Sequence, residues 1–114
     1  MALALPRPCR SVLYIPGSKD RALDKALTLP ADAIIFDLED AVAPDEKASA
    51  RETLSRALAE KDYGRRMRIL RLNALDTAWG AADAAAFAGG PVDAVLIPKV
   101  NGPDDVEAIA RLMP

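Results

Sequence analysis

Apolar runs of strand length alternate with stretches of helical periodicity four times along the chain, the pattern of consecutive βα units in a parallel sheet. The first strand reads Ser11 to Ile15 and is ended by Pro16-Gly17. Ser18 is then predicted to cap a helix whose Ala22, Leu23, Ala26 and Leu27 fall on one face. A second strand runs from Asp32 to about Leu38, and its unbroken Ala33-Ile34-Ile35-Phe36 core calls for burial on both faces. Pro44, Asp45 and Glu46 suit the first turn of a second helix, where the dipole favours negative charge. Its buried stripe is Ala50, Leu54, Ala57 and Leu58. A basic turn over 61–66 leads to a third strand, Met67 to Leu72, and an Ala-rich helix from about Ala78 to Ala88 stopped by Gly89-Gly90. Val92 to Ile97 is the fourth strand. Gly102-Pro103-Asp104-Asp105 opens a fourth helix with Val106, Ile109, Ala110 and Met113 at helical spacing.

The units recur without a linker or low-complexity run, so residues 1–114 read as one architecture. Two folds accommodate it: a small open doubly wound sheet, or part of an eight-stranded barrel. Periodicity does not choose between them.

In both folds ligands sit at the carboxyl ends of the strands, which directs attention to the polar residues there. The second strand ends Asp37-Leu38-Glu39-Asp40, and alternation puts Asp37 and Glu39 on one face, where grouped acids attract a cation. The plainer reading is a capped, solvated loop. The third strand ends Arg71-Leu72-Asn73, with Ile69, Arg71 and Asn73 on one side and Leu70 and Leu72 on the other. Arg71 therefore points where Asp37 and Glu39 point. Its planar fork suits a substrate carboxylate or a developing oxyanion, and an internal salt bridge to Asp37 or Glu39 explains it equally well. Lys99, with the parity of Val95 and Ile97, is expected to reach the same mouth, and a lone lysine there is more often an ion-pair partner than a nucleophile. Pro16-Gly17-Ser18-Lys19 is a weak anion-site candidate that lacks both common phosphate-loop patterns.

Composition narrows the chemistry. Fifteen Lys and Arg against seventeen Asp and Glu leave no broad cationic surface, which disfavours nucleic acid and anionic membrane as partners. With no His, a Ser or Cys nucleophile lacks its usual base, and a Cys/His metal cluster has no histidines to draw on. A single Cys9 fits a reducing, cytoplasmic setting, and the opening segment, broken by Pro6, Arg7, Pro8 and Arg10, reads as neither a spanning helix nor a signal core.

Four motifs in order, Arg10-Ser-Val-Leu-Tyr-Ile-Pro-Gly17, Asp37-Leu-Glu-Asp-Ala-Val42 with Lys47-Ala-Ser-Ala-Arg51, Arg71-Leu-Asn-Ala-Leu-Asp-Thr77 and Ile97-Pro-Lys-Val100, resemble the citrate lyase β-subunit / malyl-CoA lyase family over nearly the whole chain. The resemblance implies a (β/α)8 TIM barrel of which this chain supplies about the first four units. It implies a Mg2+-dependent lyase that cleaves or forms a carbon-carbon bond in a 3-hydroxyacyl-CoA such as citryl-, malyl- or citramalyl-CoA. It puts the substrate arginine at Arg71 and places Glu39 and Asp40 as groups that hold metal-bound water. It also places Tyr14, Lys19 and Lys25 at positions like relatives' CoA contacts, and the direct Mg2+ ligands beyond residue 114. The expectations that follow are an incomplete, inactive isolated chain and a homo-oligomeric enzyme. The alternatives are an aldolase acting on a free 2-keto acid, and a non-catalytic chain that works by association.

Overall fold

The computed structural model describes residues 10–113, so the readings made on Cys9 and the opening segment lie outside the described residues. Strand β1 (Val12–Pro16) leads to helix α1 (Asp20–Lys25), strand β2 (Ala33–Asp37) to a 3-10 turn (Pro44–Glu46) and helix α2 (Lys47–Glu60). Strand β3 (Met67–Arg71) precedes helix α3 (Gly80–Phe87), and strand β4 (Ala94–Leu96) precedes helix α4 (Pro103–Leu112). All strand pairs are parallel and the order is β1-β2-β3-β4.

The register divides the sheet into two faces. Ile15, Phe36, Leu70 and Val95 align across one row, and the first three are buried in the core with Leu23, Leu54 and Phe87 from the helices. Tyr14, Ile35, Ile69 and Ala94 form the adjacent row on the opposite face, followed by Pro16, Asp37, Arg71 and Leu96 at the carboxyl end. The helices pack in chain order against one another, α1 on α2, α2 on α3 and α3 on α4. A doubly wound sheet reverses its strand order and carries helices on both sides. This sheet does neither, and its architecture is that of successive units of a (β/α)8 barrel.

The predicted buried stripe of α2 is realised, with Ala50, Leu54, Ala57 and Leu58 all in the core. All five residues of β2 are buried, as its apolar run requires of a strand with a neighbour on each side. The basic turn before β3 has a structural task. Arg66 donates to the carbonyls of Leu27, Leu29 and Tyr63, tying the end of the first unit to the start of β3. Tyr63 packs edge-on against Phe36 and donates to the Leu23 carbonyl, and burial pushes its phenol up to about 12.

Three local expectations are corrected. Ser18 does not cap α1, which begins at Asp20 with Lys19 at the N-cap and no side-chain cap bond. The Gly17 amide continues the sheet by donating to the Asp37 carbonyl at 2.8 Å, which delays the helix. A Cβ on Gly17 would stand 2.9 Å from Leu38 Cδ2 and 3.2 Å from the Asp37 carbonyl oxygen, so any side chain here would push on the buried Leu38. Helix α3 starts at Gly80 and not at Ala78, after a turn in which Thr77 bonds back to the Ala74 carbonyl. Strand β4 is shorter than expected: Val92 turns back onto the Gly90 carbonyl, and Asp93 bonds Arg68 before the ladder begins. Among the described residues no helix is long and apolar enough to cross a membrane.

Candidate functional site

Parallel strands bring their last residues to one edge, and there the buried acids Asp37 and Glu39 meet Arg71. Asp37 and Arg71 are register partners on the face away from the helices. Arg71 meets Asp37 with two nitrogens, Nε to Oδ1 at 2.9 Å and Nη2 to Oδ2 at 2.6 Å. The same carboxylate accepts the backbone amides of Glu39 at 2.8 Å and Ala41 at 3.1 Å. Burial pushes the Asp37 carboxyl up, but the Arg71 guanidinium and the two amides outweigh it and hold it below the usual carboxylate range. The bonds to Asp37 raise the Arg71 pKa against its partial desolvation, so the guanidinium stays charged.

This pairing leaves Arg71 Nη1 without a hydrogen bond to the described residues. The guanidinium lies 5.0 Å from the centre of the Tyr14 ring, on the neighbouring row of the same face, and Tyr14 is 51% exposed. Glu39 is buried and approaches Arg71 Nε at 3.7 Å. Its other oxygen meets Lys99, which also lies 3.5 Å from Asp40. Hydrogen bonding to Glu39, opposed by slight desolvation, raises the Lys99 pKa. A cleft of about 570 Å³ opens beside these groups, lined in part by Glu39, Asp40, Lys99, Lys47 and Trp79.

The structure thus brings Tyr14, Asp37, Glu39, Asp40, Arg71 and Lys99 together at the carboxyl end of the sheet. It does not bring Lys19 and Lys25 into contact with them. Both are exposed on α1, at its N-cap and in its last turn. Lys99 reaches the expected mouth, but not through strand parity. Val95 aligns with Leu70, and both it and Ile97 pack against the core, on the helix side. Lys99 reaches Glu39 because the strand has ended at Leu96 and the backbone turns through a positive φ of 51° at Lys99. Asn73 also escapes the alternation, since β3 ends at Arg71. Its side chain bonds Asp83 of α3 at 2.6 Å and the Leu38 carbonyl at 3.0 Å.

Behind the strand ends, on the helix side, is a second buried polar network that sequence reasoning missed. Asp83 accepts Arg51 Nε at 2.9 Å and the backbone amide of Asn73 at 3.0 Å as well as its side chain. Lys47 Nζ donates to the carbonyls of Leu38 and Glu39. Lys47 and Arg51 are four residues apart and share a face of α2, which is the local signal that was available. Nothing local marks Asp83, thirty-two residues beyond its arginine.

A family model described as HpcH/HpaI aldolase/citrate lyase matches residues 10–114. The (3S)-malyl-CoA thioesterase of Cereibacter sphaeroides strain ATCC 17025 is 64% identical over 107 residues, which cover 94% of this chain and 38% of that protein. The citrate lyase subunit beta of Escherichia coli K12 is 41% identical over 105 residues, 92% of this chain and 35% of that one. The Mycobacterium tuberculosis CitE structure in complex with magnesium, acetoacetate and coenzyme A superposes with a TM-score of 0.74 at 34% identity, over 87% of this chain and 35% of that one. The chain therefore spans a little over a third of the length of these curated relatives.

Proposed function

Because the chain belongs to the HpcH/HpaI aldolase/citrate lyase family, we propose that it supplies the first four βα units of a barrel enzyme acting on the CoA ester of a short hydroxy acid. Malyl-CoA is the substrate put forward first, with citryl-CoA and citramalyl-CoA as variants. One observation carries the reading. Arg71 is pinned by Asp37 through two of its nitrogens, and among the described residues its Nη1 has no hydrogen-bond partner. A guanidinium held this way is a preorganised donor for a carboxylate or a developing oxyanion.

In carbon-carbon cleavage of malyl-CoA the hydroxyl loses its proton and the bond to the methylene carbon breaks. The electron pair passes into the thioester enolate, which is then protonated to acetyl-CoA, and the other product is glyoxylate. Arg71 would hold the glyoxylate oxygens or steady the enolate. Tyr14, stacked on the guanidinium, limits where it swings, and the exposed cations Lys19 and Lys25 are proposed to meet the anionic CoA. Magnesium belongs to the proposal through the relative whose structure contains it. Among the described residues no group of three acids is placed to hold a metal ion, so the direct ligands are not assigned to this chain and no step is routed through the ion. Glu39 and Asp40 are assigned the task of orienting water on it.

A second reading, hydrolysis of the thioester, is favoured by one fact: identity to the malyl-CoA thioesterase is 64%, against 41% to the citrate lyase subunit. Both readings share the substrate and the arginine. The test is to incubate the full-length protein with malyl-CoA and Mg2+ and identify the products. Glyoxylate with acetyl-CoA supports cleavage, malate with free CoA supports hydrolysis, and unchanged malyl-, citryl- and citramalyl-CoA would refute the CoA-ester assignment. A homo-oligomeric assembly is part of the same proposal, read from native mass by light scattering.

A further inference from the structure

Lys47 sits where a lysine is locally disfavoured. It opens α2, at the positive end of the helix dipole. It is 7% exposed, and no carboxylate of the described residues lies within ion-pair distance of it. What it has is the Leu38 carbonyl at 3.1 Å, the Glu39 carbonyl at 2.8 Å and the Trp79 ring at 5.1 Å. Desolvating an ammonium for two neutral acceptors is costly, and a methionine of similar length would fill the space without that cost. Methionine would not supply N–H donors, so the donors are the feature to explain.

They act on the backbone at the last rung of the ladder and just beyond it, where the Leu38 amide still donates to the Arg71 carbonyl at 2.9 Å but the carbonyls of Leu38 and Glu39 no longer face a strand partner. Strand β2 ends at Asp37. Beyond it the Leu38 carbonyl accepts both Lys47 and Asn73, and Asn73 is itself held by Asp83. The Glu39 carbonyl accepts Lys47 and the Val42 amide, while the Glu39 amide donates to Asp37. Both peptide planes flanking Glu39 are therefore fixed by side chains, and the charged one among the carbonyl donors is Lys47.

We propose that Lys47 is a positioning residue: its ammonium, bridging the carbonyls of Leu38 and Glu39, fixes the backbone from which Glu39 and Asp40 present their carboxylates beside Arg71 and Lys99. The inference rests on the functional reading above for its consequence in catalysis, but not for its geometry. Lys47 touches no reacting atom. It acts through the strand end.

Two measurements on Lys47→Met separate this from a general contribution to stability. In the 114-residue chain, amide hydrogen exchange should accelerate about tenfold or more at Glu39 and Ala41, whose amides bond Asp37, with Phe36 and Leu70 unchanged. Lys47→Arg, which keeps the charge and the donors, should recover much of the protection. In the full-length protein kcat on malyl-CoA should fall about tenfold with KM nearly constant, as expected when a group is misplaced and not removed. Uniform acceleration of all core amides, or no change at Glu39 and Ala41, would overturn the proposal. If Lys47→Met does not fold, through-hydrogen-bond couplings from Lys47 Nζ to the Leu38 and Glu39 carbonyl carbons in the unmodified chain decide the geometry: their presence upholds the bridge, and their absence refutes it. Absence of CoA-ester turnover in the unmodified full-length protein would defeat the functional reading while leaving the exchange result to judge the bridge.

Discussion

Two aspartate–arginine pairs of nearly identical burial flank the ends of β2 and β3. Arg71 and Arg51 are each 20% exposed in the side chain, and their partners Asp37 and Asp83 are 2% and 1% exposed. They differ in what surrounds them. Asp83 gathers Arg51 and both nitrogens of Asn73 on the helix side, and Arg51 also reaches the Trp79 carbonyl, so this pair joins α2, α3 and the segment that follows β3. Asp37 gathers Arg71 and two loop amides on the other face, where the guanidinium meets an exposed tyrosine and, among the described residues, keeps one nitrogen without a partner. Near-equal burial and the same ion-pair chemistry occur in two settings: one pair holds elements together, and the other is proposed to hold a donor in readiness.

The largest effect expected from this contrast is on the helix-side pair. Asp83→Ala leaves a partly buried Arg51 and the Asn73 donors without their acceptor, which should cost about 3–5 kcal/mol and is read as a shift in the denaturant midpoint. A loss below about 1 kcal/mol would break the comparison from its structural side. Next is Arg71→Lys in the full-length protein, which keeps the charge but not the two-pronged geometry. Turnover should fall by on the order of 10²-fold with the circular dichroism spectrum intact. Near-normal turnover would make Arg71 a second Arg51.

How far such a contrast was legible in the sequence depends on whether a residue lies inside a strand. Within β2 and β3 the period of two placed Asp37 and Arg71 on one face and Leu70 on the other, and the register confirms it. Beyond the strand ends the rule lapses. Asn73 turned to Asp83, and Lys99 reached Glu39 through a positive φ and not through parity. Ser18 looked like a helix cap, but an additional sheet bond from Gly17 displaced the helix start. Lys47 entered the sequence reading only within the Lys47-Ala-Ser-Ala-Arg51 motif, because its acceptors are backbone carbonyls that no residue identity announces.

A smaller effect lies in the acid response. The Asp37 carboxyl is held below its unfolded value, so its contribution to stability is fully present above the unfolded pKa of about 3.9 and is lost as pH falls through the lower folded value. Denaturation at a series of pH values below about 4 should show stability falling with pH, and Asp37→Asn should flatten that fall, lowering stability most near and above pH about 4 and least at the acid end. A variant with the same acid slope would assign the slope to other groups. The smallest effect belongs to Tyr14→Leu, which removes the ring over Arg71. A partly exposed cation–π contact is worth about 0.5–1 kcal/mol, so a loss of a few fold in kcat/KM is expected. Unchanged kinetics would mean that Asp37 alone orients the guanidinium.

The most direct measurement is a crystal structure of the full-length protein with a bound keto acid such as glyoxylate or oxaloacetate. The account predicts that Arg71 donates to a ligand oxygen at about 3 Å while Asp37 still holds Nε and Nη2, with the Arg51–Asp83 pair unmoved. A ligand bound elsewhere, with Arg71 contacting only Asp37 and Glu39, would contradict it.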